Sequence, residues 1–125
     1  MTQEDKELLL KDLCARLSYG VKVRIYNPYR GEYEYEYITI DNYNEIISTF
    51  DISWIEPCLF PLSSMTDEQK SEWRTINNWL DETKKNQTLG DWAVDLIDFY
   101  NKNHFDYRGL IEKGLALDAT GLNIY

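Results

Sequence analysis

The residues of this sequence best suited to chemistry surround its single histidine, His104. Asp106 follows two positions later, and Arg108 follows Asp106 at the same spacing. Imidazole titrates near neutral pH and a carboxylate can fix its tautomer, so His104 and Asp106 could form a general base. Ser63 or Ser64 could be the nucleophile, but neither lies in a Gly-x-Ser-x-Gly turn or beside a glycine-rich oxyanion segment. Our main expectation is therefore that the chain has no catalytic residues. A small enzyme using His104, Asp106 and Arg108 is kept as an alternative hypothesis.

The same cluster has a structural interpretation, which we favour. Asp106 and Arg108 can hydrogen-bond locally and hold the following segment in place, while His104 lies near the C-terminal carbonyls of the preceding helix. Clusters of titratable groups occur in structural networks as well as in active sites. The types and spacing of these three residues do not by themselves indicate catalysis.

Metal and cofactor sites are poorly supported by the sequence. Asp91, Asp95 and Asp98 fall on one side of a predicted helix, but Ca²⁺ or Mg²⁺ needs several more oxygen ligands than such a stripe supplies. A solvated acidic face explains the stripe better. Neither a glycine-rich phosphate loop nor a Cys-x-x-Cys pair occurs. We expect no metal and no cofactor.

The negative charge of the chain is concentrated in one segment. Positions 31 to 69 hold nine carboxylates and no Lys or Arg, and the formal net charge is −9, which argues against direct binding of nucleic acid. The segment opens with acids and aromatics alternating at the period of a β-strand, which puts the two types on opposite faces. This candidate binding surface consists of Glu32, Tyr33, Glu34, Tyr35, Glu36 and Tyr37. Alternatively, Lys22 and Arg24 pair with the glutamates across a hairpin, and the ladder is only structural.

The first half of the sequence predicts one helix followed by a sheet. Thr2 can cap a helix that runs to about Leu17. Its apolar positions recur at helical spacing and are Leu9, Leu10, Leu13, Cys14 and Leu17. Alternation over 21–26 and 32–40 predicts a hairpin. In its second strand we expect Tyr33, Tyr35 and Tyr37 to pack inward, with a bulge or twist that lets Ile38 and Ile40 pack as well. Residues 45–50 are rich in β-branched side chains and predict a third strand, and 51–55 predict a short strand or one helical turn.

The second half predicts two helices that follow an extended strap. Pro57 and Pro61 bracket the strap and should exclude it from the interior of a sheet. Thr66 begins a helix to about Lys84, and Thr88 begins the next one. The inward positions of the first of these helices are Trp73, Ile76, Trp79 and Leu80. We predict one α+β domain over 1–125, with an N-terminal helix, a small antiparallel sheet of three or four strands, two C-terminal helices and an ordered tail.

Two stretches carry distinctive motifs. The strap ends in Ser63-Ser64-Met65-Thr66, and a later stretch reads His104-Phe105-Asp106-Tyr107-Arg108-Gly109-Leu110-Ile111. In these motifs the chain resembles a family of small uncharacterised proteins from gut Bacteroides-type bacteria and their phages and prophages. The resemblance implies a mobile-element setting and no established activity. Cys58 and Phe60 depart from it, since bulkier aromatic and basic residues are usual there.

We therefore expect a non-enzymatic cytoplasmic protein that contacts another protein, as an accessory factor of a phage or prophage. Neither a signal peptide nor a membrane span is recognisable, so no membrane partner is expected. A second hypothesis is an acidic DNA-mimic inhibitor of a nucleic-acid-binding protein. Alternate residues on a strand are about 6.7 Å apart, whereas duplex phosphates recur at about 1.7 Å of axis. Several elements would have to combine to imitate DNA.

Overall fold

The computed structural model describes residues 1–78 and 86–125 and has an α+β fold. The elements occur in the order α1 (Gln3–Arg16), β1 (Val21–Asn27), β2 (Glu32–Ile38), α2 (Tyr43–Thr49), β3 (Ile55–Leu59), α3 (Asp67–Ile76), α4 (Leu89–Lys102) and β4 (Leu117–Asp118). Short 3₁₀ turns occur at Ile52–Trp54 and Leu62–Ser64. The predicted plan of an N-terminal helix, a sheet and two later helices is confirmed.

Three helices begin where the sequence predicts, because each start is fixed by local hydrogen bonds. The hydroxyl of each N-cap threonine accepts a bond from a backbone amide three residues later, and that later residue's side chain accepts one in return. The pairs are Thr2 with Asp5, Thr66 with Gln69, and Thr88 with Asp91. The end of α3 differs from the prediction, since the helix stops at Ile76 instead of about Lys84. Trp79, Leu80 and Lys84 lie outside the described residues.

The sheet has the strand order β2-β1-β3-β4 and is mixed, whereas the sequence predicted an antiparallel one. β1 pairs antiparallel with β2 and with β3. The two-residue β4 pairs parallel with β3 through Cys58 and Leu117. A four-residue turn joins β1 to β2 and ends at Gly31, whose φ of 65° is in the left-handed region that favours glycine. This turn fixes the hairpin register, in which Asn27 lies opposite Glu32.

The exclusion of the proline strap from the interior of the sheet was wrong, since β3 lies between β1 and β4. In an antiparallel ladder successive residues direct their backbone groups to opposite sides. Arg24 pairs with Glu56, and Pro57 occupies the next position, opposite Val23. The backbone groups of Val23 point to β2, so Pro57 removes no donor from the ladder between β1 and β3. Pro61 follows the strand.

A side chain from the far end of the sequence completes the seam between β1 and β3. Lys22 and Cys58 each lie two residues beyond the Arg24–Glu56 pair. At this position the backbone groups of β1 and β3 again point toward each other. The hydroxyl of Tyr125 lies between them, accepting from the Lys22 N–H at 2.9 Å and donating to the Cys58 carbonyl at 2.7 Å. Tyr125 thus satisfies two backbone groups that the ladder itself leaves apart.

The core lies between one face of the sheet and α1, α2 and the segment before β4. Its fully or nearly buried members are Leu9, Leu13, Val21, Val23, Ile25, Ile38, Ile46, Ile55, Leu59, Leu110, Leu115 and Ala116. On α1 the buried positions are Leu9, Asp12, Leu13 and Arg16, so the inward stripe differs from the predicted one. Cys14 is exposed and donates to the Tyr43 hydroxyl at 3.3 Å.

The predicted third strand over 45–50 is wrong, because residues 45–49 belong to α2 and Phe50 is its C-cap. Ile46 is buried in the core, and Ile47 and Phe50 pack partly against it, a spacing that one helical turn satisfies. The hydroxyls of Ser48 and Thr49 both donate to the Glu45 carbonyl, at 3.0 and 2.7 Å. Packing against the sheet has overridden the β-propensity of these side chains.

Candidate functional site

The outer side of the hairpin carries a row of exposed aromatic rings, which we call the tyrosine face. Its members are Tyr26, Tyr33, Tyr35 and Tyr37, whose exposed fractions lie between 37% and 56%. The register places Tyr26 opposite Tyr33, Arg24 opposite Tyr35 and Lys22 opposite Tyr37. The prediction that Tyr33, Tyr35 and Tyr37 pack inward was wrong, and of the two isoleucines expected to pack as well, Ile38 is buried and Ile40 is exposed. Ile38, which shares the opposite face with the glutamates, is the β2 side chain that enters the core.

Arg24 is held on the tyrosine face by two contacts. Its guanidinium binds the Glu56 carboxylate on β3 at 2.8 Å and lies 4.4 Å from the centre of the Tyr33 ring. The hydrogen bond to Glu56 raises the pKa of Arg24, although partial burial acts in the opposite direction. The predicted pairing of Lys22 and Arg24 with β2 glutamates across the hairpin is wrong, because both bases lie opposite tyrosines.

The rings of the tyrosine face are ordered by their neighbours. Tyr26 and Tyr33 lie 5.3 Å apart between ring centres, and Tyr37 meets Tyr125 edge-on at 6.3 Å. Tyr37 also covers Gly20, where an added Cβ would collide with its ring and where φ is 76°. Aromatic pairs in these tilted and edge-on geometries stabilise one another beyond simple burial. The face is therefore a partly preformed surface.

The carboxylates of β2 point to the other side of the sheet. The register places Glu34 opposite Ile25 and Glu36 opposite Val23. These two acids therefore lie on the same side of the sheet as the core, but at its margin, where they are not buried. Glu34 accepts a hydrogen bond from the Asn27 side chain at 3.3 Å. Glu56 lies on the tyrosine side, paired with Arg24. Carboxylates of the base-free segment thus lie on both sides of the sheet, and the DNA-mimic hypothesis needs them on one surface.

The structure does not bring His104 and Asp106 together as a catalytic pair. The two carboxylate oxygens of Asp106 accept hydrogen bonds from the backbone amides of Leu110 and Ile111, at 2.8 and 2.9 Å. The segment from 106 to 111 is therefore held by its own acid, as the structural interpretation of this cluster predicts. Arg108 points elsewhere and approaches Asp12 on α1 at 3.3 Å.

His104 is part of an aromatic stack. Its ring lies 3.8 Å from that of Tyr125 at an interplanar angle of 11°, and its φ of 61° places the backbone in the left-handed region. Burial, and then the positive charge of Arg16, lower the pKa of His104 to about 4. Its Nδ1 atom is buried without a hydrogen-bond partner. A neutral, stacked imidazole in this position supports the chain turn between α4 and the following segment.

Sequence reasoning missed a cluster of charged residues inside the protein, which we call the buried arginine cluster. Asp12 and Arg16 are fully buried and form two hydrogen bonds, at 2.9 and 3.1 Å. Arg16 also donates to the Phe105 carbonyl at 2.7 Å, and Arg16 and Arg108 both lie over the Tyr107 ring. The signal was present, since positions 9, 12, 13 and 16 recur at the spacing of one helix face. The cluster joins α1 to the segment after α4.

Neither serine considered as a nucleophile meets His104. The Ser64 hydroxyl donates to the Pro61 carbonyl at 2.6 Å. Ser63 lines an open cleft of about 400 Å³, together with Lys70, Trp73 and other residues of the α3 region. The cleft and the His104 stack are lined by different residues.

The aspartate stripe of α4 serves the helix and its neighbours. Asp91 belongs to the N-terminal capping box, and Asp95 accepts a bond from the Gln87 side chain at 3.4 Å. Within residues 1–78 and 86–125, no group of three or more His, Cys, Asp or Glu side chains is arranged to hold a metal ion. Over the same ranges, no helix has the length and apolar character needed to cross a membrane.

Comparison with protein-family models, curated proteins and solved structures found no match to this chain. The resemblance to proteins of Bacteroides-type bacteria and their phages therefore stays a prediction. What can be said about function comes from the geometry of the two sides of the hairpin.

Proposed function

We propose that this chain is a non-enzymatic cytoplasmic protein that binds another protein through its tyrosine face, as an accessory factor of a phage or prophage. One observation carries the proposal, namely that Tyr26, Tyr33, Tyr35 and Tyr37 are exposed side by side on one surface of the hairpin. More than a third of each of these side chains stays exposed, which leaves apolar area for a partner to cover. The mobile-element setting follows from the sequence resemblance alone.

The chemistry of this face is typical of a contact surface. Tyrosine provides a large contact area with few rotatable bonds and a hydroxyl that can hydrogen-bond at the interface. Tyrosine and arginine are enriched among the residues that contribute most to binding energy. Arg24 lies within the row and is already oriented by Glu56 and Tyr33, so little side-chain freedom remains to be lost on binding.

Affinity capture from the native host tests the proposal. The full chain is compared with a Tyr33→Ser/Tyr35→Ser variant and with a Tyr29→Ser control, whose side chain is 93% exposed in the turn, outside the paired strand residues. The proposal expects a protein captured by the parent chain and the control but at least about tenfold less by the double variant, as for residues that dominate an interface. Circular dichroism checks that each variant is folded.

Two outcomes would overturn the proposal. Either no protein is captured above background, or the double variant captures the same protein as well as the parent does. The genomic neighbourhood tests the setting separately, since an accessory factor of this kind should be encoded beside phage or prophage genes.

A further inference from the structure

β2 forms one of the two edges of the sheet and pairs only with β1 among the described strands, which leaves its other side free. Successive residues of a strand direct their N–H and C=O groups alternately to one neighbour and the other. The N–H and C=O groups of Lys22 point to Tyr125, on the β3 side of β1. Tyr37 lies opposite Lys22 on β2, so the N–H and C=O groups of Tyr37 point away from β1. The Tyr37 carbonyl accordingly accepts a hydrogen bond from the Asn42 side chain at 2.8 Å.

By the same alternation, Tyr33 and Tyr35 direct their backbone groups at the free edge. Within residues 1–78 and 86–125, no hydrogen bond is made there to the backbone N–H of either residue. Both residues are about half exposed. Free strand edges of this kind can accept an extended segment of another chain as an additional strand.

A cleft beside this edge combines acidic and apolar lining residues, which suits a basic side chain. It lies between β2 and α2 and has a volume of about 220 Å³. Its lining residues are Glu36, Asn42, Glu45, Ile46, Thr49 and Phe50. Neither acid forms an ion pair with a base from the part of the chain that the structure describes. Lys and Arg suit such a cleft, because their aliphatic stems pack on apolar residues while the charge stays beside the acids.

We infer that the β2 edge binds an extended segment of a partner protein in which Lys or Arg alternates with aromatic or β-branched residues. Residues directly opposite one another in a sheet share a face. The bases therefore lie opposite Glu34 and Glu36, while the other side chains extend the row of Tyr33 and Tyr35. The base beside Glu36 enters the cleft lined by Glu45. This inference rests on the proposed function and specifies the chemistry of the partner.

A second copy of this chain fits the edge poorly. In an antiparallel pair of two β2 strands, direct partners share a face, so a glutamate of one copy would always lie opposite a glutamate of the other. Like charges in that position are destabilising. Asn42 covers the edge at Tyr37, which leaves Glu32–Glu36, about five residues or roughly 17 Å, for a partner strand. A short basic segment satisfies both the charge and the length.

Two synthetic peptides test the charge requirement on the full chain. One has the sequence Val-Lys-Tyr-Lys-Val-Lys-Thr, and the matched peptide has Glu in place of each Lys. By fluorescence anisotropy at low salt, we expect the lysine peptide to bind at least about tenfold more tightly, since two or three cross-strand charge pairs change from attractive to repulsive. Glu34→Lys/Glu36→Lys should reverse the preference. Glu45→Gln, which leaves β2 unchanged, should weaken only the lysine peptide, about two- to fivefold.

A matched pair of substitutions at Tyr35 tests the backbone requirement. Tyr35→Pro and Tyr35→Val both remove the ring, but only proline removes the outward N–H. The ladder with β1 does not use that N–H, so both variants should fold. Loss of the ring weakens both variants alike, so we expect the proline variant to bind the lysine peptide at least about tenfold more weakly than the valine variant does. Amide hydrogen exchange at Tyr33 and Tyr35 should be fast in the free protein and slow in the complex.

The outcomes separate this inference from the proposed function. Equal binding of the two peptides, no binding of either at millimolar concentration, or equal affinity of the proline and valine variants would overturn the edge site. If the Tyr33→Ser/Tyr35→Ser variant still loses the captured host protein, the tyrosine face retains its proposed role without strand addition. If proline at position 35 prevents folding, the charge-reversed variant decides, because its backbone is unaltered.

Discussion

The protein contains two arginine–tyrosine–carboxylate clusters of similar chemistry, one fully buried and the other partly exposed. In the buried arginine cluster, Asp12 and Arg16 have no accessible surface, and Arg16 lies 5.2 Å from the centre of the Tyr107 ring. On the tyrosine face, Arg24 binds Glu56 and lies 4.4 Å from the centre of an exposed ring. Burial decides what each cluster does. The first holds α1 against the segment after α4, and the second remains available to a partner.

The largest expected effect comes from breaking the buried pair. Asp12→Asn leaves the Arg16 charge inside the protein without its counter-ion, so we expect the free energy of unfolding to fall by about 3–5 kcal/mol. Glu56→Gln is the matched control on the partly exposed Arg24–Glu56 pair and should cost less, about 1 kcal/mol, because water still reaches this pair and screens it. Urea unfolding measures both. Equal losses would show that burial does not distinguish the two clusters.

A double replacement sharpens the same comparison. Asp12→Leu/Arg16→Met removes both buried charges and should be less destabilising than Asp12→Asn alone, since the cost of an unpaired buried charge disappears. The Arg16 bond to the Phe105 carbonyl is lost too, so full recovery is not expected. If the double variant has a lower free energy of unfolding than Asp12→Asn, Arg16 stabilises the fold mainly through its bond to the Phe105 carbonyl.

An intermediate effect is expected at the seam between β1 and β3. Tyr125→Phe keeps the ring on His104 but removes the hydroxyl that joins Lys22 to Cys58. Two backbone groups lose their partner, which should lower the free energy of unfolding by about 1–3 kcal/mol. Tyr29→Phe, which alters a fully exposed ring in the turn, should change it by less than about 0.5 kcal/mol. Thermal unfolding of the two variants gives the comparison directly.

The smallest expected effect is a pH dependence caused by His104. Its pKa is lowered to about 4 in the folded state, whereas histidine in an unfolded chain titrates near 6.5. Between these values the unfolded state binds more protons, so the free energy of unfolding falls as the pH drops from about 6.5 to 4. His104→Asn tolerates the left-handed backbone and does not titrate. The unfolding free energy of this variant should change less than the parent's between pH 7 and pH 5. If both proteins show the same slope of unfolding free energy against pH, His104 is not the cause of the pH dependence.

Local signals predicted the beginnings of the helices but could not predict which side of β2 is buried. A capping box involves residues three positions apart, so Thr66 and Gln69 carry the whole signal. The face of β2 depends on the hairpin register, which places Ile38 opposite Val21. Three tyrosines on one side of β2 suggested that this side is apolar and buried. The buried side chain of β2 is instead Ile38, which lies on the side of the glutamates.

Long-range contacts explain the other differences between sequence and structure. Pro57 is compatible with an interior strand only because Val23 directs its backbone groups elsewhere, a fact that no window of sequence contains. The role of Arg108 likewise depends on Asp12, almost a hundred positions away. The alternation predicted that the tyrosines and glutamates of β2 lie on opposite faces, but the register was needed to show that the glutamates share the side of the core.

The Tyr125 hydroxyl has a consequence for folding kinetics. The hairpin can form early, since its strands are adjacent in sequence, but the contact between Lys22 and Tyr125 spans 103 positions. Closing so long a loop is slow and occurs late when local structure forms first. Loss of the hydroxyl should therefore accelerate unfolding and leave the refolding rate nearly unchanged.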